Sequence, residues 1–244
     1  MGFLRYDSPF MMGLAKVTDL IMINLYTMIL CIPVVTAGAA ITALHCMSLK
    51  IVRNDHTRVT KEYFQSFARN FKQATLIWLM VLVVLAILAG DCFILFFADL
   101  HFGKAFRIIF FVIAFLLAFV YAFVYPILAK FDNTIKNTLK NSLLIGILQF
   151  PKTVLMVIVG MIPGLILLLY PHPTLLSAVI LFGFSGPAWI SALLYNKYFQ
   201  MLEDQILEQN APENVLDPDD EDVIFKDMEY VGSGEKSESD ATQE

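Results

Sequence analysis

Residues 31–46 read CIPVVTAGAAITALHC, in a chain that is otherwise one long apolar run after another. A plain membrane anchor would carry unbroken leucine here. This stretch instead carries Pro33, two β-branched valines, and Gly38 among alanines. Proline removes a backbone donor and clashes with the preceding turn, and glycine adds freedom, so a helix kinks or ends at such a place. Irregular backbone survives at membrane depth only where protein or a wet cavity surrounds it. The stretch therefore predicts a helix break at Pro33–Gly38 packed against neighbouring helices, with the small residues permitting close approach.

Composition supports that setting. Hydrophobic residues make up 58% of the 244 and charged residues only 16%, with a mean hydropathy of +0.68. Soluble domains run near half apolar and a quarter charged. The net charge of -5 hides two regions of opposite sign: 203–244 carries 15 acidic and 2 basic residues, whereas 1–202 carries 15 basic and 7 acidic. The reading is a basic helical transmembrane domain over 1–202 and an acidic tail over 203–244.

A membrane-crossing helix needs about 20 predominantly apolar residues. Four such segments are plain, at 74–98, 105–129, 153–170 and 174–195. A fifth, 14–49, is too long for one span and is interrupted at Pro33–Gly38. The expected fold is all-α and polytopic, with five hydrophobic regions, or six helices if the break separates two. The run after Lys16 is too long for a cleavable signal peptide, so the first region is expected to remain in the protein.

Orientation follows lysine and arginine in the connections. Lys50, Arg53, Arg58, Lys61, Arg69 and Lys72 lie between the first two regions, and Lys130, Lys136, Lys140 and Lys152 follow the third. The loop between those two carries only Lys104 and Arg107, and the turn at 170–173 carries none. The two basic connections and the tail are expected in the cytoplasm. The amino terminus lies outside if 14–49 crosses once and inside if the break makes a hairpin.

Two basic connections have helical patterning. Tyr63, Phe64, Phe67 and Phe71 recur at helical spacing, with Arg69 and Lys72 placed to snorkel; Phe131, Ile135, Leu139 and Leu143 recur every four residues. Each reads as an amphipathic helix at the interface or as the cytoplasmic extension of the next membrane helix.

The order IPVVTAGAAITAL, YFQSFARNFKQATLIWL, YPILAKFDNTIKNTLKNSL resembles the YesL-like bacterial membrane proteins, a family of unknown function, over roughly residues 1–205. The resemblance implies a small polytopic protein associated with carbohydrate uptake systems of the ABC type. It implies no catalytic residues and does not reach the tail. Ala37 stands where the family pattern carries a larger aliphatic residue.

The chain carries no phosphate-binding loop, HExxH, GxSxG elbow or CxxC pair, so it is not read as an enzyme or as the ATPase of a transporter. Cys31, Cys46 and Cys92 lie in apolar segments as small hydrophobes. The four histidines have no metal-ligand spacing. No cofactor, metal or nucleic-acid partner is expected; the partners are the lipid bilayer and subunits of a carbohydrate transporter. Burying a charge in hydrocarbon costs roughly 2.5–3.5 kcal/mol at mid-depth, which singles out Asp91, with Asp19 and Asn24 as candidate partners. Asp91 reads as a proton- or cation-coupling group, as a cap on a break after Gly90, as a residue in the outer headgroup zone, or as a group hydrogen-bonding a neighbouring helix. Pro33, Gly38, Asn70, Lys72 and Asp132 complete the candidate positions. The tail is too poor in apolar residues to offset the entropy of ordering it and is expected to be disordered. Two functions remain open: an accessory or regulatory protein of a carbohydrate uptake system in the cell membrane, or a small secondary carrier coupled through Asp91.

Overall fold

The structure is a computed structural model and describes residues 9–55, 58–97, 104–170 and 172–210. Among the described residues there is no strand; the elements are α1 (Pro9–Cys31), a 3-10 turn (Val34–Thr36), α2 (Ala37–Arg53), α3 (Val59–Phe97), α4 (Lys104–Lys130), α5 (Ile135–Leu148), α6 (Phe150–Leu169), α7 (Pro173–Phe182) and α8 (Ser185–Asn210). Five helical stretches are long and apolar enough to cross a membrane: Phe10–Cys31, Val34–Arg53, Val59–Phe93, Ile108–Lys130 and Phe150–Leu169. The pair α7 and α8 bends by 48° and passes the same test only when taken together.

The chain divides into two units, Met1–Lys197 and Tyr198–Glu244. In the second unit, residues 198–210 are the last turns of α8. Helix therefore continues to Asn210, past the expected start of the tail at Glu203; the expectation of disorder over 211–244 falls outside the described residues.

Within the first unit α2 is the hub. Its small residues Ala39, Ala40 and Ala43 have no exposed surface, so neighbouring helices approach its backbone closely, as small-residue stripes permit where lipid supplies no hydrophobic drive. One face joins Leu20 and Ile23 of α1, Tyr63 of α3 and Ala188 of α8 around Ala43, Leu44, Met47 and Ile51. The other puts Ala39 in a cluster with Ala74 and Ile77 of α3 and Val124, Tyr125 and Leu128 of α4. Elsewhere apolar side chains point outward, with Phe93, Ile108 and Leu168 among the most exposed. Such contiguous apolar surface suits lipid and not water.

Three expected elements differ in the structure. The segment 61–72 is no separate interfacial helix: it is the first part of α3, whose 39 residues extend about 58 Å at 1.5 Å per residue, so the extension reading holds. The segment 131–143 is not a continuous extension of the next membrane helix: Phe131 precedes α5, and α5 is separate from α6, with Ile135 and Leu139 half-buried against the cluster around Tyr125. Helix α5 begins at Ile135 and buries Thr138, Ser142, Ile145 and Gly146. A Cβ at Gly146 would lie 3.2 Å from the Phe119 side chain, and Phe150 stacks on Phe119 with ring centroids 5.6 Å apart. Small polar residues let α5 lie against α4, which a row of leucines would prevent. The segment 174–195 is not one straight span, because the chain breaks between Phe182 and Ser185.

Candidate functional site

The predicted break is built as a closed unit. Helix α1 stops at Cys31, ahead of Pro33. The Thr36 hydroxyl donates to the Leu30 carbonyl and also lies 2.8 Å from the Pro33 carbonyl, while the Trp78 indole donates to the Val34 carbonyl at 2.7 Å. Carbonyls released where α1 ends thus regain donors, as low-polarity surroundings require. Gly38 follows directly: a Cβ there would stand 2.5 Å from the Ala74 carbonyl oxygen and 2.5 Å from Trp78 Cβ. Pro33 ends one helix and Gly38 lets the next lie on α3.

A second break, between α7 and α8, is held by a residue 160 positions away. Asn24, fully buried in α1, donates from Nδ2 to the Ile180 carbonyl at 2.7 Å, and its Oδ1 accepts from the Phe184 and Ser185 amides at 2.8 Å each. The polar side chain therefore supplies the partners that continuous helix would have given. Gly183 belongs to the same device, since a Cβ there would collide with the Val179 carbonyl. Asn24 is committed to this break and not to Asp91, which corrects the pairing read from the sequence.

Further stitches join α1, α2 and α3. Thr27 donates to the Ile23 carbonyl at 2.7 Å, and its hydroxyl lies 2.8 Å from the Tyr63 hydroxyl, itself 3.2 Å from the Ala40 carbonyl. Tyr26 and Thr60 share a hydroxyl pair at 3.0 Å. Lys50 and Glu62 form an ion pair across the α2–α3 connection, and Arg53 Nε donates to Asn196 Oδ1 of α8 at 2.7 Å.

Asn70, Lys72 and Asp132 come to one region, where the polar part of α3 meets the α4–α5 connection. Arg69 donates to the Ala129 carbonyl at 3.4 Å and Gln73 to the Asn133 carbonyl at 2.6 Å. Asn70 is buried and donates back to the Ser66 carbonyl at 3.0 Å. Lys72 is exposed on the rim of a shallow cleft lined also by Gln73, Leu76, Asn133, Thr134 and Ile135. Asp132 is exposed beside it. Thr134 caps α5, accepting from the Asn137 amide at 3.4 Å.

Asp91 stands apart from these places. It is half-buried in α3, and that helix runs on without interruption to Phe97, so Asp91 caps no break after Gly90. Among the described residues no group of three or more His, Cys, Asp or Glu is disposed to hold a metal ion, and Cys31, Cys46 and Cys92 are free thiols.

The fold and these contacts define an all-α protein with several helices apolar enough for a membrane, organised around two helix breaks, one between α1 and α2 and one between α7 and α8. A family model described as "Protein of unknown function, DUF624" matches residues 20–92. That stretch contains most of α1, the Pro33–Gly38 break, α2 and α3 through Cys92. No curated protein and no solved structure matches the chain.

Proposed function

We propose that the chain is a multi-pass, YesL-like protein of the cell membrane that works through protein contacts and catalyses no reaction, as an accessory or regulatory partner of a carbohydrate uptake system of the ABC type. The observation that carries the non-catalytic part is how five of the buried polar side chains are used. Asn24, Thr27, Thr138, Ser142 and Thr153 each bond to backbone carbonyls or amides of their own or a neighbouring helix. Such groups stabilise helix breaks and contacts and do not form a pair of nucleophile and base. The transporter association rests on the sequence resemblance. On this reading the polar part of α3 and the α4–α5 connection form the cytoplasmic surface that a transporter subunit would meet, and the tail lies in the same compartment.

The test is affinity purification of the tagged protein from native membranes in mild detergent. The reading expects subunits of a carbohydrate transporter to co-purify, and Lys72→Glu with Asp132→Lys to weaken that recovery. Absence of any transporter subunit would remove its support. The carrier reading rests on Asp91, a carboxylate in a strongly apolar helix; solute uptake by reconstituted protein that is lost in Asp91→Asn would favour it.

A further inference from the structure

Helix α3 carries an exposed stripe that changes character along its length. Lys72, Leu76, Met80, Val83 and Ile87 recur at helical spacing and so share a face, and all of these side chains are exposed. From Lys72 to Ile87 the stripe runs about 22 Å at 1.5 Å per residue, enough to pass the middle of a hydrocarbon core about 30 Å thick. Its cationic end opens into the cleft between α3 and the α4–α5 connection, lined by Lys72, Gln73, Leu76, Asn133, Thr134 and Ile135 and about 360 Å³ in volume. Clefts that hold small ligands begin at about 300 Å³.

The contacts that build the cleft leave donors over. Gln73 bonds to the Asn133 carbonyl at 2.6 Å and Arg69 to the Ala129 carbonyl at 3.4 Å, which fixes α3 on the connection. The Thr134 hydroxyl accepts from the Asn137 amide as the cap of α5 and keeps its own proton to donate. Among the described residues the Lys72 ammonium and the Asn133 side-chain amide have no hydrogen-bond or ion-pair partner. Over 69–76 and 129–140 five basic residues stand against one acid, Asp132. The cleft thus offers a cation, a hydroxyl and an amide beside the apolar Leu76 and Ile135. An anionic, acceptor-rich head on an apolar body matches that set, and a phosphodiester carrying acyl chains is such a molecule. A soluble anion would use the cation and leave the stripe bare.

We propose that this cleft binds the phosphate head of one anionic phospholipid, held by Lys72, Asn133 and Thr134, with an acyl chain lying along Leu76, Met80, Val83 and Ile87. A lysine that only snorkels to the interface has no such setting: here three donors line one cleft, and the apolar stripe gives the chain a fixed path. The inference concerns the protein on its own and does not rest on a transporter partner.

The test is native mass spectrometry of the full chain released from bilayer discs of phosphatidylglycerol and phosphatidylcholine in equal amounts, counting the lipids retained. The expected result is one phosphatidylglycerol kept per chain in preference to phosphatidylcholine. Retention should fall roughly five-fold in Lys72→Gln, the worth of one lysine beside an anionic head, and return in Lys72→Arg. Should Lys72→Gln misfold, Asn133→Ala reads the same loss through a donor that no contact of the fold uses. Lys61→Gln and Lys152→Gln remove the same charge elsewhere and are expected to retain lipid as the parent does. An equal fall in those two variants overturns the proposal, because the attraction then belongs to basic surface in general. Unchanged retention in Lys72→Gln, or equal retention of both lipids, overturns it as well. Displacement of the lipid by glycerol phosphate, which has the head without the chains, also overturns it, because the occupant is then a soluble phosphate compound.

Discussion

The Asn24 side chain takes the place of a helical turn around Phe184: its Oδ1 accepts the Phe184 amide at 2.8 Å while the same side chain serves Ser185 and Ile180. One fully buried amide thereby satisfies three backbone groups at a break, a task that needs both an acceptor and a donor on one short side chain.

Replacing Asn24 with Leu leaves two amides and a carbonyl unpaired, and the expected loss of stability is roughly 2–4 kcal/mol, at one to three for each unsatisfied group with partial relaxation. Asn24→Asp keeps the acceptor for Phe184 and Ser185 but loses the donor to Ile180 and buries a carboxyl group, so it also destabilises. Thermal unfolding in a mild detergent reads both. Parent-like stability in Asn24→Leu would show that the bend at Gly183 holds itself without α1.

Gly38 makes a sharper test of the first break. With a Cβ placed 2.5 Å from both Ala74 O and Trp78 Cβ, even Gly38→Ala forces α2 off α3, and the expected cost is about 1–3 kcal/mol as overpacking. Gly13 and Gly160, also helical, have nothing within 4 Å of an added Cβ. Alanine at either is expected to be neutral or to stabilise by up to about 1 kcal/mol through helix propensity. Equal tolerance at all three positions would place Gly38 away from any tight contact.

The contrast between the two breaks explains what the sequence disclosed. Pro33 and Gly38 announce the first break because the residues that end one helix and admit the next are adjacent in the chain. The second break is signalled locally by Gly183, Gly186 and Pro187, and the residue that holds it, Asn24, is remote; from sequence it read as a candidate partner of Asp91. The same limit applies to α5, where apolar periodicity marked Phe131, Ile135, Leu139 and Leu143. The helix buries Thr138, Ser142, Ile145 and Gly146 most completely and leaves Ile135 and Leu139 half-buried against the core, because small side chains let helices approach closely in apolar surroundings. Hydrophobic runs locate helices well, but in a membrane they do not say which face meets protein.

Thr27 and Tyr63 offer a quantitative check on how α1 is held to α3. Their hydroxyls lie 2.8 Å apart in a buried setting, so Thr27→Val and Tyr63→Phe, singly and together, form a double-mutant cycle. The expected coupling is roughly 0.5–1.5 kcal/mol, the worth of one neutral hydrogen bond. Additive losses would mean that each hydroxyl is satisfied elsewhere, Thr27 by Ile23 and Tyr63 by Ala40.

The last prediction concerns sidedness, which decides the compartment of any partner. Six basic residues in 50–72 and four in 130–152, against two in 99–107 and none in 171–173, favour both basic connections in the cytoplasm. Two contacts bear on the same question. Arg53, at the end of α2, bonds to Asn196 of α8, so α8 reaches the level of the α2–α3 connection. Thr36, at the turn, reaches back to Leu30, and α1 and α2 are each long and apolar enough to cross, which favours a hairpin with the start of α1 on the same side as Arg53. The expected outcome is an even number of crossings, with both ends of the described chain inside. Reporters active on one side of the membrane, fused before Pro9, after Gln209 and within 170–173, are expected to place the first two in the cytoplasm and the third outside. An external signal from the Gln209 fusion would exclude a cytoplasmic partner for the tail. An external signal from the Pro9 fusion alone would mean that α1 and α2 cross as one interrupted span and not as a hairpin.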